Sequence, residues 1–312
     1  MLVLEWYRYS CSAMPLALDP ALLTSRDCGR AVRHWIGIDG GGTTTRALIA
    51  DPQGRILGRG QAGPSALGQG AEQAWRHIEQ AIVAAQVPGL ALQDCALGLG
   101  LSGTGVPSQL QAFLDAAPAV ARFTVVTDGL VALLGAHGGE PGALLISGTG
   151  SVAEALLPDG QRRMVGGWGW QMGDEGSGAW LGQQAMKLAQ AAYDDRAPQG
   201  PLVEAVWQRA GRTREALLSF CASAGQAGYA SLAPLVFEHE AEDPAASALL
   251  DQAAVALQVL AAAVHPTLPL ALAGSIAQRL QPRFPAALRG RIVPPRGEPV
   301  AGALWLIQQH SV

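Results

Sequence analysis

Two glycine-rich turns constrain this 312-residue chain more than any other feature. The first reads Asp39-Gly40-Gly41-Gly42-Thr43-Thr44-Thr45 and the second Ser147-Gly148-Thr149-Gly150-Ser151. Each lies between two apolar stretches of strand character. These are Trp35–Ile38 and Arg46–Ala50 around the first, Ala143–Ile146 and Val152–Leu157 around the second. Glycine has no Cβ, so backbone N–H groups there can converge on one anion, and adjacent Thr and Ser hydroxyls add donors suited to phosphate oxygens. Two such turns imply two jaws closing on a polyphosphate, and with them a nucleotide-using enzyme.

The segments that follow the two turns repeat in order. After the first come a strand at 55–60, a helix at 71–86, a strand at 95–101, a helix at 107–116, a strand at 122–127 and a helix at 129–136. Ala71, Trp75, Ile78, Ile82 and Ala85 form a 3.6-period stripe that must face a sheet. After the second turn come a strand at 161–165 and helices at 176–192 and 246–264. A strand at 268–273, a helix at 276–288, a strand at 291–293 and a helix at 299–309 complete the series. Leu99-Gly100-Leu101-Ser102-Gly103 is echoed by Leu270-Ala271-Leu272-Ala273-Gly274. Such long-period similarity predicts a duplicated α/β unit, each copy a mixed, mostly parallel sheet covered by helices. A helical insertion at about 194–245 has no counterpart in the first half and is the natural lid.

Composition narrows the function. The chain is roughly twice a typical domain in length, so two domains sharing a cleft are expected. With 49% hydrophobic and 15% charged residues it can bury a sizeable core. A net charge of −4 and the lack of any Lys/Arg block argue against nucleic acid as partner. Cys11, Cys28, Cys95 and Cys221 are scattered without metal-ligand spacing, as expected of reduced thiols in a cytoplasmic protein. The six histidines form no spaced pair. No segment reaches the ~18 to 20 apolar residues of a membrane helix; the longest, Ala253–Val264, is shorter and carries Gln258. Residues 1–33 fit neither a secretory signal nor the repeat and read as a poorly specified extension.

Individual residues sharpen this. Asp39 ends a strand and opens the first turn, where a carboxylate beside phosphates would hold Mg²⁺, directly or through water. The plain alternative is a turn-initiating Asp bonded to its own backbone. Asp128 ends a strand and precedes a helix, so it could cap that helix or orient an attacking hydroxyl. Gly167-Trp168-Gly169 and Asp174-Glu175 lie in a glycine-dense segment before an apolar helix and are candidate ligand contacts. Packing, for Trp168 and Trp170, and helix capping, for Asp174, are the alternatives. Gly274-Ser275 ends a strand at the place equivalent to Gly103, with Ser275 as a candidate N-cap.

The order of these motifs resembles the actin/hexokinase/Hsp70 superfamily, whose members duplicate a ribonuclease H-like domain around an interdomain cleft. Asp39-Gly40-Gly41-Gly42-Thr43, Val126-Thr127-Asp128, Ile146–Ser151, Gly166–Gly169, Met172–Ser177 and Leu272–Ile276 are similar to the N-acetylglucosamine kinase/glucosamine kinase branch. That branch also holds the BadF/BadG/BcrA/BcrD-type ATPases. The resemblance covers about Trp35 to Leu306. It implies an N-terminal domain of 34–138 plus 299–312 and a C-terminal domain of 139–298, with ATP and Mg²⁺ as cofactors and an amino sugar as substrate. In the implied roles, Asp128 is the catalytic base acting toward the sugar 6-hydroxyl. Gly40, Gly41, Gly42, Thr43, Thr44, Gly148, Thr149, Gly150, Gly274 and Ser275 bind ATP. Gly167, Trp168, Gly169 and Asp174 line the sugar, and Asp39 holds the metal. A homodimer is left open, and neither a membrane nor nucleic acid is an expected partner.

Two positions depart from the branch. Ala66, aligned through Gly63-Pro64-Ser65, and Val152 stand where these kinases usually carry Asn, and each lost amide removes a hydrogen bond to sugar worth ~1 kcal/mol. Three rival readings follow from the resemblance: a glucosamine or other hexose kinase, a BadF-type ATPase without sugar kinase activity, and a non-catalytic sugar-responsive regulator. The second needs paired cysteines for a bridging cluster, and Cys95 and Cys221 make no such pair. The third needs a DNA-binding appendage, and residues 1–33 carry no helix-turn-helix pattern.

Overall fold

The computed structural model describes residues 18–309. They divide into two units. The first takes the chain up to Gly142, Leu156–Arg162 and the chain from Pro294; the second takes Ala143–Ala155 and Arg163–Val293.

In the first unit, β1 (Thr24–Asp27), β2 (His34–Gly40), β3 (Thr45–Ala50), β4 (Ile56–Ala62), β5 (Cys95–Leu101) and β6 (Arg122–Thr127) form one sheet in the order β1-β6-β5-β2-β3-β4. β2 runs parallel to β5 and β5 to β6, whereas β2/β3, β3/β4 and β1/β6 are antiparallel. The sheet is therefore mixed but not mostly parallel, because each glycine turn makes a hairpin rather than a crossover. β1 falls in the stretch read as an extension. Its sequence, Thr-Ser-Arg-Asp, is mainly exposed and shows no apolar alternation, so nothing marks it as a strand.

Alternation along the strands fixes the two faces. Ile36, Ile38, Ala47 and Ile49 join Trp75, Ile78 and Ile82 of α1 (Ala71–Ala84), with Phe113 of α2 (Pro107–Asp115), in one core. Leu48, Ala50 and Ala96 point the other way, onto Val300, Leu304 and Ile307 of α12 (Pro299–Gln309). α3 (Asp128–His137) packs beside α12 on that face.

In the second unit, β7 (Gly142–Ser147), β8 (Ser151–Leu156), β9 (Arg162–Gly166) and β10 (Leu270–Ala273) form a sheet in the order β10-β7-β8-β9. The parallel β10/β7 pair beside the hairpin repeats the β5/β2 arrangement. The strand expected at 291–293 is reduced to a bridge between Leu270 and Ile292, and the helix expected at 276–288 breaks into α10 (Ser275–Leu280) and α11 (Ala286–Arg289) around Pro282 and Pro285. The helices of this unit are α4 (Gly178–Tyr193), α5 (Pro201–Ala210), α6 (Arg214–Ser223), α7 (Gly225–Ala230), α8 (Ala233–Glu238) and α9 (Pro244–Val264), followed by α10 and α11. At 21 residues α9 is long and apolar enough to cross a membrane by length and composition. Its buried stripe of Leu250, Ala254, Leu257, Leu260 and Val264 marks a core helix, packed on α4 and α8.

Candidate active site

Three parallel strands of the first unit end abreast. Gly40 stands opposite Leu101, and Leu101 opposite Thr127, so Asp39 and Asp128 lie at the carboxyl edge of one sheet, where ligands of open α/β sheets bind. Asp128 is close enough to act on Asp39. Burial pushes the Asp39 carboxyl above its ordinary value; Arg46 opposes this, donating to Oδ2 at 3.3 Å, while Asp128 and Glu298 push it further up. Arg46 pairs with Asp39 and Arg59 with Glu298, at 2.7 Å, while the Asp39 carboxyl stays raised, a place where a divalent cation would favour the ionised form. Among the described residues no three His, Cys, Asp or Glu side chains gather as a metal site. Mg²⁺ suits such a place, since it takes one or two carboxylates and fills its remaining positions with water and phosphate oxygens.

Asp128 does not cap α3. Thr127 is the N-cap, its hydroxyl accepting from Leu130 N–H at 3.1 Å, while Asp128 Oδ1 accepts from the adjacent Gly129 N–H at 2.9 Å. The cap signal in the sequence is real but belongs one residue earlier, which leaves the half-buried Asp128 carboxylate for chemistry.

The glycines of the first turn divide by what surrounds them. A Cβ on Gly40 would lie 2.0 Å from Ser65 Oγ, so packing alone already requires glycine there. A Cβ on Gly41 would meet nothing within 4 Å, and one on Gly42 only the tip of Gln69 at 3.9 Å. Neither has positive φ. The chain itself gives no reason for glycine at 41 or 42, which fits space kept for a ligand. The turn is braced from below: Thr45 Oγ1 donates to Gly63 O at 2.6 Å and Ser65 Oγ at 2.7 Å, and the Ser65 and Ala66 amides donate to Gly41 O. Thr43 is exposed and Thr44 half-buried. Gly41 N–H closes the turn onto Thr44 O at 3.1 Å, and in the second turn Gly148 N–H closes onto Gly150 O at 3.0 Å. The Gly41 and Gly148 amides are thus engaged within their own turns, because a tight turn consumes one of its own donors.

In the second unit Gly148 also faces open space and Thr149 is exposed. Gly178 N–H donates to Gly148 O and Ala179 N–H to Thr149 O, so the start of α4 holds the turn's carbonyls. Gly274 has φ +83° and a Cβ there would stand 2.2 Å from Ser147 O, so only glycine fits where β10 passes the second turn. Gly274 is itself the cap residue of α10; Ser275, exposed, makes no side-chain cap. The sequence reading of Ser275 as N-cap is therefore displaced by one residue.

Gly167 and Gly169 both have positive φ and carry Trp168 outward, 74% exposed. Asp174 is buried at 4% exposure with φ +57°, a strained conformation for a residue other than glycine. It does not cap α4; Ser177 does, accepting from Trp180 N–H. The Asp174 carboxyl is pushed up by burial and by Glu175, and held down by backbone N–H groups of Ser151 and Gly169 and by Gln226, whose Nε2 donates at 3.0 Å. Trp170 packs on Tyr229 at 5.7 Å between ring centroids. Val152 is half-buried, against the space beside Gly167. Thr45, read from the sequence as one of the turn's hydroxyls offered to phosphate, is buried and braces the turn instead, and sequence reasoning missed Ser65 and Gln226, which brace the first turn and Asp174. A cavity of about 390 Å³ lies on the β3/β4 side of the first unit, lined by Arg46, Arg59, Gln61 and Glu298 among others, and contains none of the expected site residues.

Residues 36–304 match the model of the BadF/BadG/BcrA/BcrD ATPase family. The chain belongs to this family. It is 34% identical over 280 residues to a glucosamine kinase of Vibrio cholerae, covering 88% of this chain and 95% of that one. An N-acetylmuramic acid/N-acetylglucosamine kinase of Clostridium acetobutylicum is 30% identical over 171 residues, 53% of this chain and 56% of that protein. A crystal structure from Chromobacterium violaceum, put forward as an N-acetylglucosamine kinase, is 42% identical with a TM-score of 0.82, covering 88% of this chain and 99% of that one. Membership of the family agrees with the resemblance carried by the two glycine turns and the Val-Thr-Asp and Gly-Asp-Glu-Gly segments.

Proposed function

We propose that this family member is an ATP- and Mg²⁺-dependent amino-sugar kinase, transferring the γ-phosphate to the 6-hydroxyl of N-acetylglucosamine. The observation that carries the reading is the placement of Asp39 and Asp128 at one carboxyl edge, beside glycines that face open space. Phosphoryl transfer asks the protein for positioning and charge neutralisation more than for covalent chemistry. Asp128 accepts a hydrogen bond from the attacking hydroxyl, aims its oxygen at the γ-phosphorus, and takes its proton as the new O–P bond forms and ADP departs. Asp39 would hold Mg²⁺, which neutralises phosphate charge when bound. In the first unit Gly40, Gly41, Gly42, Thr43 and Thr44 bind phosphate oxygens. In the second, Gly148, Thr149 and Gly150 do the same, and Gly274 and Ser275 lie along the adenosine.

Trp168 offers an apolar face to the pyranose, Asp174 accepts sugar hydroxyl hydrogen bonds, and Gly167 and Gly169 shape the segment. A second reading, glucosamine as acceptor, is favoured by the Vibrio relative, and Ala66 and Val152, in place of the Asn usual in the branch, leave either amino sugar without two amide contacts. The free thiols of Cys28, Cys95 and Cys221 support a reducing, cytoplasmic setting. The test is a panel of amino sugars and hexoses screened by ADP formation, with NMR of the phosphorylated carbon. Phosphate on C6 of an amino sugar is expected. Turnover with none of them, despite measured sugar binding, turns the reading toward a regulator.

A further inference from the structure

The helical insertion reaches into the glycine-dense segment with one side chain. α7 lies tightly on α4: a Cβ on Gly182 would stand 1.8 Å from the Tyr229 carbonyl oxygen. Trp170 and Phe220 both pack on Tyr229, which anchors the insertion there. From α7, Gln226 Nε2 donates to Asp174 Oδ2 at 3.0 Å. A Cβ on Gly150 would lie 2.7 Å from that same oxygen and 3.1 Å from Gln226 Nε2. The second glycine turn, Asp174 and the insertion therefore meet at one carboxylate oxygen. The remaining hydrogen bonds to this carboxyl come from the local backbone, Ser151 and Gly169.

We propose that Gln226 is a positioning residue for the acceptor site, its amide fixing the orientation of the Asp174 carboxylate so that the inserted helices set the affinity for sugar. This rests on the assignment of Asp174 to sugar binding. An amide donor favours the charged carboxylate, opposing burial and the neighbouring Glu175, which both favour the protonated form. The groups facing Asp174 from α7 and from the turn, Gln226 and Gly150, are neutral. Ionised Asp174 accepts hydrogen bonds from sugar hydroxyls through both oxygens; the protonated acid loses part of that capacity.

The test compares Gln226→Leu and the isosteric Gln226→Glu with wild type by two measurements. The first is the pH profile of kcat and KM for the acceptor at saturating ATP. The second, needing no substrate, is the carboxyl ¹³C titration of Asp174 in aspartate-labelled protein. In Q226L, KM should rise about 3- to 10-fold with little change in kcat, and the acid limb and the Asp174 resonance should both move up by about one pH unit. In Q226E two carboxylates about 3 Å apart share a proton, so kcat/KM should be higher near pH 6 than near pH 8, where both are ionised and repel. Profiles and an Asp174 titration that match wild type in both variants overturn the proposal. Should wild type use no amino sugar, the kinase reading fails by itself, and the ¹³C shift in Q226L still decides whether Gln226 governs Asp174.

Discussion

Asp39 on β2 and Arg46 on β3 stand opposite each other in the antiparallel register, and their side chains meet at 3.3 Å. That single cation does not restore Asp39 to its ordinary behaviour: burial, the largest effect, keeps its carboxyl raised, with Asp128 and Glu298 adding to it. The folded chain thus holds this proton more tightly than the unfolded chain. Ionised Asp39 costs stability above its folded pKa, and the cost vanishes as the pH falls below the ordinary carboxylate value of about 4. Asp39→Asn should raise Tm at pH 7 by about 1 to 4 °C and converge on wild type toward pH 4, while losing Mg²⁺-dependent turnover. Calorimetry across this pH range checks it. A variant no more stable than wild type at pH 7 contradicts the field described for this edge.

Thr127 and Asp128 separate structure from chemistry in adjacent positions. Asp128→Asn keeps an oxygen for the Gly129 N–H and leaves the cap untouched, so its Tm should stay within about 1 °C of wild type. Its kcat should fall by about 10² to 10⁴ with nucleotide affinity retained. Thr127→Ala should instead cost about 1 kcal/mol of stability through the lost cap. Denaturant titration and a coupled ADP assay on both variants read the difference.

What the sequence made legible is what repeats or alternates. The two hairpins, the parallel strand beside each, and the Trp75/Ile78/Ile82 stripe of α1 follow from periodicity and from glycine placement. β1 was invisible because an exposed edge strand of polar residues carries no period. Pro282 and Pro285 were the available signal for the break after α10. The motifs named the candidate carboxylates, but the capping roles of Thr127, Gly274 and Ser177 depend on backbone angles that neighbouring residue types share. Gln226 lies 52 positions from the carboxylate it touches, beyond any local pattern.

Trp168 is three-quarters exposed, held out by glycines on both sides. A tryptophan that buries so little gives the fold little, so Trp168→Ala should leave Tm unchanged within about 1 °C. If its ring covers the sugar, KM for the acceptor should rise about 2- to 10-fold with kcat nearly constant, the size of one aromatic contact. Initial-rate kinetics at saturating ATP measure the split. An unchanged KM removes Trp168 from the acceptor site.

Neighbouring glycines of the first turn should respond in opposite ways to the same added methyl. In Gly40→Ala the new Cβ would lie 2.0 Å from Ser65 Oγ and 2.7 Å from Leu101 Cδ2. Ser65 cannot swing away freely, because its hydroxyl accepts from Thr45 at 2.7 Å. Overpacking of this kind costs about 1 to 3 kcal/mol, so Tm should drop by about 3 to 10 °C. In Gly41→Ala the new Cβ meets no atom of the chain within 4 Å and the backbone needs no positive φ. Its Tm should match wild type, and its affinity for a non-hydrolysable ATP analogue should fall at least about tenfold, equal to about 1.4 kcal/mol. Thermal melts with and without the analogue test both. Full nucleotide affinity in Gly41→Ala means that the open space beside this turn holds no phosphate.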